Sequence, residues 1–112
     1  MEFTTLNNGV VMPMQGIGTY LLTPDEAENA ATYTLKNGYQ LIDMANAYCN
    51  EKAVGRAMKK SGVDRKDIFL ETKLWPSFYE QEDAVEKTLE RLGTDYIDLL
   101  LIHQPASVKA VI

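Results

Sequence analysis

The spacing of apolar residues changes several times along the chain, and each change marks an element. Thr4, Leu6, Val10 and Val11 flank Asn7-Asn8-Gly9. Asn-Gly between apolar runs is the strongest short hairpin signal, because both residues accept a positive φ. A hairpin is therefore expected over residues 3–12, ended by Pro13. Residues 14–20 form a short candidate strand whose Gly16 and Gly18 let another backbone or a ligand come close. From Thr23 the pattern becomes helical. Thr23 can cap, Pro24 suits the first helical position, and Glu26 completes a capping box. Ala27, Ala30, Ala31, Thr34 and Leu35 then share one face, and Gly38 follows the helix end. Residues 39–43 read as a strand. A second helix is expected behind Asn50 as its cap. Its stripe is Ala53, Val54, Ala57 and Met58, with Lys59 and Lys60 at the negative end and Gly62 beyond. Residues 67–73 read as the next strand. Pro76-Ser77 opens a third helix with Ala84, Val85, Thr88, Leu89 and Leu92 inward and Gly93 at its end, and residues 96–102 form the last strand.

The order is a hairpin followed by β-α-β-α-β-α-β. Alternation of this kind implies a parallel sheet with right-handed crossovers. The segments 67–73 and 96–102 read as nearly continuous apolar runs, as in sheets buried on both faces. A doubly wound sheet and a (β/α) barrel both fit, and both place ligand sites at the carboxyl ends of the strands.

Composition narrows the function classes. A chain of 112 residues is expected to be one domain with a real core. The net charge of −5 argues against a nucleic-acid or anionic-membrane partner. The one cysteine, Cys49, has no internal disulfide partner, which fits a reducing compartment. Met1 to Thr5 shows no basic region leading into an apolar core, so no signal peptide is visible. No apolar run approaches the ~20 residues of a membrane helix. The expectation is a soluble cytoplasmic domain.

The candidate chemistry sits at three strand ends. Asp43 follows Ile42, Lys73 follows the run that begins Ile68-Phe69-Leu70, and His103 follows Leu99-Leu100-Leu101-Ile102. Successive members are 30 residues apart. About 30 residues is one strand-helix-strand unit, so the three occupy the same point in successive units. Neighbouring strands lie about 4.8 Å apart, so these side chains can converge. Asp43 and Lys73 would pair. Lys73 near Tyr48 would favour the phenolate, and a phenol tuned in that way can donate a proton at neutral pH. His103 offers a second hydrogen bond to the same substrate oxygen. Together these groups suit polarising and protonating a carbonyl while something else attacks its carbon. No nucleophile is evident, and one His with one Cys makes no metal cluster.

Each of these residues has an ordinary structural explanation when taken alone. A strand-end aspartate can cap a turn, a lysine can be solvated, and a lone histidine can be a satisfied core residue. It is the equal spacing, together with Tyr48, that favours a site. Cys49 reads as a small loop residue beside it. Trp75 and Tyr20, each just past a strand, suit pocket walls and core packing equally well. Phe78 and Tyr79 read as helix-entry packing. Gly16-x-Gly18 does not make a dinucleotide fingerprint, because Leu21 stands where the third glycine belongs and no helix begins at once.

Ile42-Asp43-x-Ala45-x-x-Tyr48-x-Asn50-Glu51-x-x-Val54-Gly55, Thr72-Lys73-Leu74-Trp75 and Leu101-Ile102-His103-Gln104-Pro105 together closely resemble the aldo-keto reductases. The resemblance runs from about Phe3 to Pro105. It is strongest to the bacterial members of the diketogluconate- and glyoxal-reductase type. It implies a (β/α)₈ barrel whose hairpin, residues 1–13, closes the amino-terminal end, with residues 14–105 as the first four barrel strands and three helices. Residues 106–112 would be a tail or the start of a fourth helix. The implied activity is NADPH-dependent reduction of an aldehyde or ketone to an alcohol, with NADH as the other candidate cofactor. Tyr48 would be the general acid, Lys73 and Asp43 its tuning pair, and His103 the donor that orients the carbonyl. Gly18, Thr19, Tyr20 and Asp43 match positions at the nicotinamide end, while Tyr20, Trp75 and His103 would line the substrate pocket. A whole barrel needs roughly 250 residues. The family's amide-recognising residues and its Lys-Ser phosphate clamp would lie beyond this chain. The alternative expectation is a catalytically silent half-barrel that associates with itself through open sheet edges.

Overall fold

The computed structural model describes residues 2–105, so the expected tail or helix start at 106–112 lies outside the described residues. The hairpin forms as β1 (Phe3–Thr5) and β2 (Val11–Pro13), with Thr4 opposite Met12. Its turn is closed by Gly9 N–H donating to Leu6 O and Val10 N–H donating to Asn8 Oδ1, and Gly9 takes φ +88°. Pro13 lies inside the strand opposite Phe3 instead of ending it. A two-stranded ribbon has only edges, where a proline is tolerated.

The remaining elements are β3 (Gly16–Gly18), α1 (Pro24–Lys36), β4 (Leu41–Asp43), α2 (Glu51–Ser61), β5 (Phe69–Leu74), α3 (Ala84–Leu92) and β6 (Leu99–Ile102). The four last strands form one parallel sheet in the order β3-β4-β5-β6. Spatial order follows chain order with no reversal. Right-handed crossovers that always advance in one direction put every helix on the same face. A doubly wound sheet needs a switch point where the order reverses, and none occurs among the described residues. The sheet is therefore wound in one sense, as a barrel wall is. α1 packs on α2, and α2 packs on α3.

The core lies between sheet and helices. Ile42, Met44, Ile68 and Leu70 meet Ala31, Leu35, Val54, Ala57, Met58 and Leu92 there. The capping box of α1 forms in both directions: Glu26 N–H donates to Thr23 Oγ1 at 3.2 Å, and Thr23 N–H donates to Glu26 Oε1 at 2.9 Å. Glu28, on the buried face of α1, takes Arg56 Nε at 2.5 Å and the Lys60 ammonium from α2. Lys60 first, then Arg56, hold its carboxyl below the usual carboxylate range. Lys60 is thus an interhelical partner as well as a charge at the helix end.

Three expectations change. Residues 76–78 are a short 3-10 turn, and α3 begins only at Ala84. Glu80, Glu82 and Asp83 give that stretch no apolar stripe to bury. Tyr79 is held elsewhere: its hydroxyl donates to Gln104 O at 2.7 Å and accepts from Gln104 N–H at 3.2 Å. Val85 is exposed, and α3 turns Ala84, Thr88 and Leu92 inward. Finally, β5 is not a continuous apolar run. Buried Leu70 and Thr72 face the helices and alternate with half-buried Glu71 and Lys73 on the opposite face. That opposite face is the one available to a ligand.

Candidate active site

The carboxyl ends of β4, β5 and β6 carry Asp43, Lys73 and His103, and a 3-10 turn at Asn46–Tyr48 carries the phenol. Lys73 Nζ donates to Asp43 Oδ1 at 2.6 Å and to Met44 O at 2.8 Å. The same ammonium lies 5.1 Å from the centre of the Tyr48 ring. The His103 ring stands edge-on to Tyr48 at 5.9 Å and edge-on to Trp75 at 5.2 Å. Tyr20 packs at 5.2 Å on the other side of Tyr48. Six of the residues singled out from the sequence thus meet in one cluster.

Equal strand register explains the convergence. Gly18 pairs with Asp43, and Lys73 pairs with Leu101 two residues before His103. The Tyr48 turn is fixed from below. Asn46 Nδ2 donates to Glu51 Oε2 at 2.9 Å and to Thr88 Oγ1 at 3.1 Å, and Arg91 Nε donates to Glu51 Oε1 at 2.7 Å. Cys49 then reverses the chain at φ +59°, with its thiol exposed. An ammonium desolvated against a carboxylate and beside a phenol is suited to stabilise negative charge developing on that phenol oxygen.

Around this cluster the structure assigns other tasks. Thr19 is fully buried, and its one hydroxyl proton is shared between Asp43 O at 3.2 Å and Asn50 Oδ1 at 3.3 Å. Asn50 does not cap α2 with its side chain. Its amide is buried and donates to Thr19 O at 2.8 Å and Leu22 O at 3.2 Å, tying the loop after β3 to the start of α2. The acidic neighbour Glu71 escaped the sequence reading. Its carboxyl is pushed up to about 7, first by a hydrogen bond with the Asp43 carboxyl, then by burial and the Asp43 charge, with Lys73 opposing. Its signal was available: it stands two residues before Lys73 on a strand, hence on the same face.

The family model for the aldo/keto reductase family matches residues 14–110. The chain belongs to the aldo/keto reductase family. It is 47% identical over 106 residues to a glycerol 2-dehydrogenase (NADP(+)) of Saccharomyces cerevisiae, covering 94% of this chain and 34% of that protein. Among solved structures, a putative 2,5-diketo-D-gluconic acid reductase B superposes with a TM-score of 0.90 at 38% identity, over 96% of this chain and 40% of that one. A Bombyx mori aldo-keto reductase in complex with NADP gives a TM-score of 0.87 at 33% identity, over 93% of this chain and 38% of that one. The chain therefore spans a little over a third of the length of these relatives. Its fold corresponds to part of an aldo-keto reductase (β/α)₈ barrel, as the winding of the sheet requires. Among the described residues, no helix is long and apolar enough to cross a membrane.

Proposed function

We propose that this chain supplies the acid-base half of an NADPH-dependent reductase that converts a small aldehyde or ketone to an alcohol. The observation that carries the reading is the Lys73–Asp43 pair at 2.6 Å, with its ammonium 5.1 Å from the Tyr48 ring. Tyr48 donates its hydroxyl proton to the substrate oxygen, and Lys73 stabilises the charge left on the phenol. Asp43 holds Lys73 in place. His103, walled by Trp75, donates a second hydrogen bond that orients the carbonyl. When bound, NADPH supplies the hydride to the carbonyl carbon. At the nicotinamide end, the exposed ring of Tyr20 and the half-buried Asp43, whose carboxyl is engaged by Lys73, stand beside Gly18, which adds no side chain in the way. The Thr19 hydroxyl is turned inward, so Thr19 contributes through the position of its backbone. The phosphate and amide contacts of the cofactor come from outside this chain. This reading places the protein in the cytoplasm.

The test is a chimeric barrel carrying this chain ahead of the second half of a homologous reductase. Tyr48→Phe is expected to lower kcat for carbonyl reduction by about 10²–10⁴-fold. NADPH affinity, followed by fluorescence quenching, should stay within about twofold, because the proton donor is lost while its surroundings remain. A Phe variant with most of the parent rate would assign the acid to another group.

A second reading concerns the 112-residue chain by itself, and one observation favours it. Leu100, Leu101 and Ile102 on the edge strand β6 are 38%, 38% and 52% exposed. Each such side chain contributes about 1.5–3 kcal/mol when fully buried. On its own the chain is catalytically silent and associates with itself through this strand.

A further inference from the structure

The wall that holds Lys73 carries a second ionisable group that the acid-base reading does not use. Glu71 shares the Lys73 face of β5, and its register partner across β4 is Asp43. Both carboxyls are half-buried and stand side by side on neighbouring strands, about 4.8 Å apart at the backbone, within reach of a hydrogen bond. Two ionised carboxylates offer only acceptors to each other, so a hydrogen bond between them requires a proton on one. Asp43 Oδ1 already accepts from Lys73 Nζ at 2.6 Å. The proton therefore belongs to Glu71, which donates it to Asp43. The neighbouring strands add no competing charge: β6 places Leu99 beside Glu71 and Leu101 beside Lys73, and β3 places Gly18 beside Asp43. The titratable groups facing Glu71 among the described residues are Asp43 and Lys73, with Tyr48 and His103 beyond them at the strand ends.

We propose that Glu71 is a positioning residue of this site: its carboxylic acid donates a hydrogen bond to Asp43 and so decides whether Lys73 faces one negative charge or two. With Glu71 protonated, Asp43 and Lys73 balance, and the ammonium acts on the phenol. With Glu71 ionised, the site gains a negative charge that opposes the one forming on the Tyr48 oxygen. The changeover falls near neutrality, since the Glu71 carboxyl is pushed up to about 7. The catalytic consequence rests on Tyr48 being the acid; the shared proton does not.

The shared proton is tested on the 112-residue chain without cofactor, labelled with carbon-13 at its carboxyl groups and followed by NMR across the pH range. The Glu71 signal should titrate near 7, with the Asp43 signal shifting in step. Glu71→Gln should erase that step at Asp43, and Asp43→Asn should return Glu71 toward its ordinary value of 4.5. A wild-type Glu71 that titrates in the ordinary carboxylate range overturns the proposal, and so does one that Asp43→Asn leaves in place. Should a variant fail to fold, the wild-type midpoint decides. In the chimeric barrel, kcat should fall as pH rises through the Glu71 midpoint, and Glu71→Gln should lose that fall. A parallel fall in Glu71→Gln overturns the positioning role. Should Tyr48→Phe stay active while Glu71 titrates near 7, the Tyr48 reading fails and the shared proton stands.

Discussion

Asn50 separates two accounts of how the start of α2 is held, and Asn50→Asp tests them. If Asn50 were a helix cap, aspartate would serve equally well, since the two cap with similar strength. The structure gives the side chain a different task. Its Nδ2 donates to Thr19 O and Leu22 O, at 2.8 and 3.2 Å, from a position that is 1% exposed. Aspartate has no N–H to give. Leu22 O loses the Asn50 donor, while Thr19 O keeps the 3.2 Å bond from Leu22 N–H. Two net hydrogen bonds at about 1 kcal/mol each, plus the desolvation of a part-buried acceptor at about 1–3 kcal/mol, give a loss of about 3–5 kcal/mol. The new charge faces two carbonyl oxygens, which adds to the loss. Favourable placement of a carboxylate at the amino end of α2 returns at most about 1 kcal/mol. The expected net cost is about 2–4 kcal/mol. At a urea m-value of about 2 kcal/mol/M, the midpoint falls by about 1–2 M. The assay is urea unfolding followed by Trp75 fluorescence and circular dichroism at one fixed protein concentration. An Asn50→Asp unfolding free energy within about 0.5 kcal/mol of wild type would refute the bridging role and restore the cap.

Gly55→Ala should destabilise by up to about 2 kcal/mol, because a Cβ there would stand 2.6 Å from Leu92 O, and overpacking at about 1–3 kcal/mol outweighs the helix-propensity gain of about 1; a raised urea midpoint would show that α3 can step aside. Stability should fall as pH rises from about 4.5 toward 7, since the raised Glu71 carboxyl makes the folded chain bind more protons than the unfolded one over that window, and Glu71→Gln should flatten this slope in pH-resolved urea titrations. Below that window the trend should turn, because Glu28 is held below its ordinary value and its contribution is lost as it is protonated. Sedimentation of the 112-residue chain should give a mass above the monomer, and Leu100→Lys with Ile102→Lys should reduce it; a wild-type monomer that unfolds cooperatively would contradict association through β6.

What the sequence determined by itself is the set of signals that act over short distances. Thr23, Pro24 and Glu26 define the start of α1 by chemistry within one turn, and Asn8-Gly9 closes the hairpin in the same way. The 30-residue recurrence of Asp43, Lys73 and His103 placed them at equivalent strand ends because each crossover has a similar length. The structure brings these three together with Tyr48, as the spacing implied. Tertiary structure decided whatever depends on which surfaces meet. The stretch 76–83 reads as a helix by its opening signal, yet Tyr79 is claimed by Gln104, 25 residues away. Asn50 looks like a cap from its neighbours, but partners 28 and 31 residues earlier set its role. Sequence patterning alone admits both a doubly wound sheet and a barrel. The unreversed order β3-β4-β5-β6 is a property of strand pairing, which local propensity does not encode. Glu71 shows the same division: its alternation with Lys73 is written in the chain, but only the pairing of β4 with β5 sets its carboxyl against Asp43.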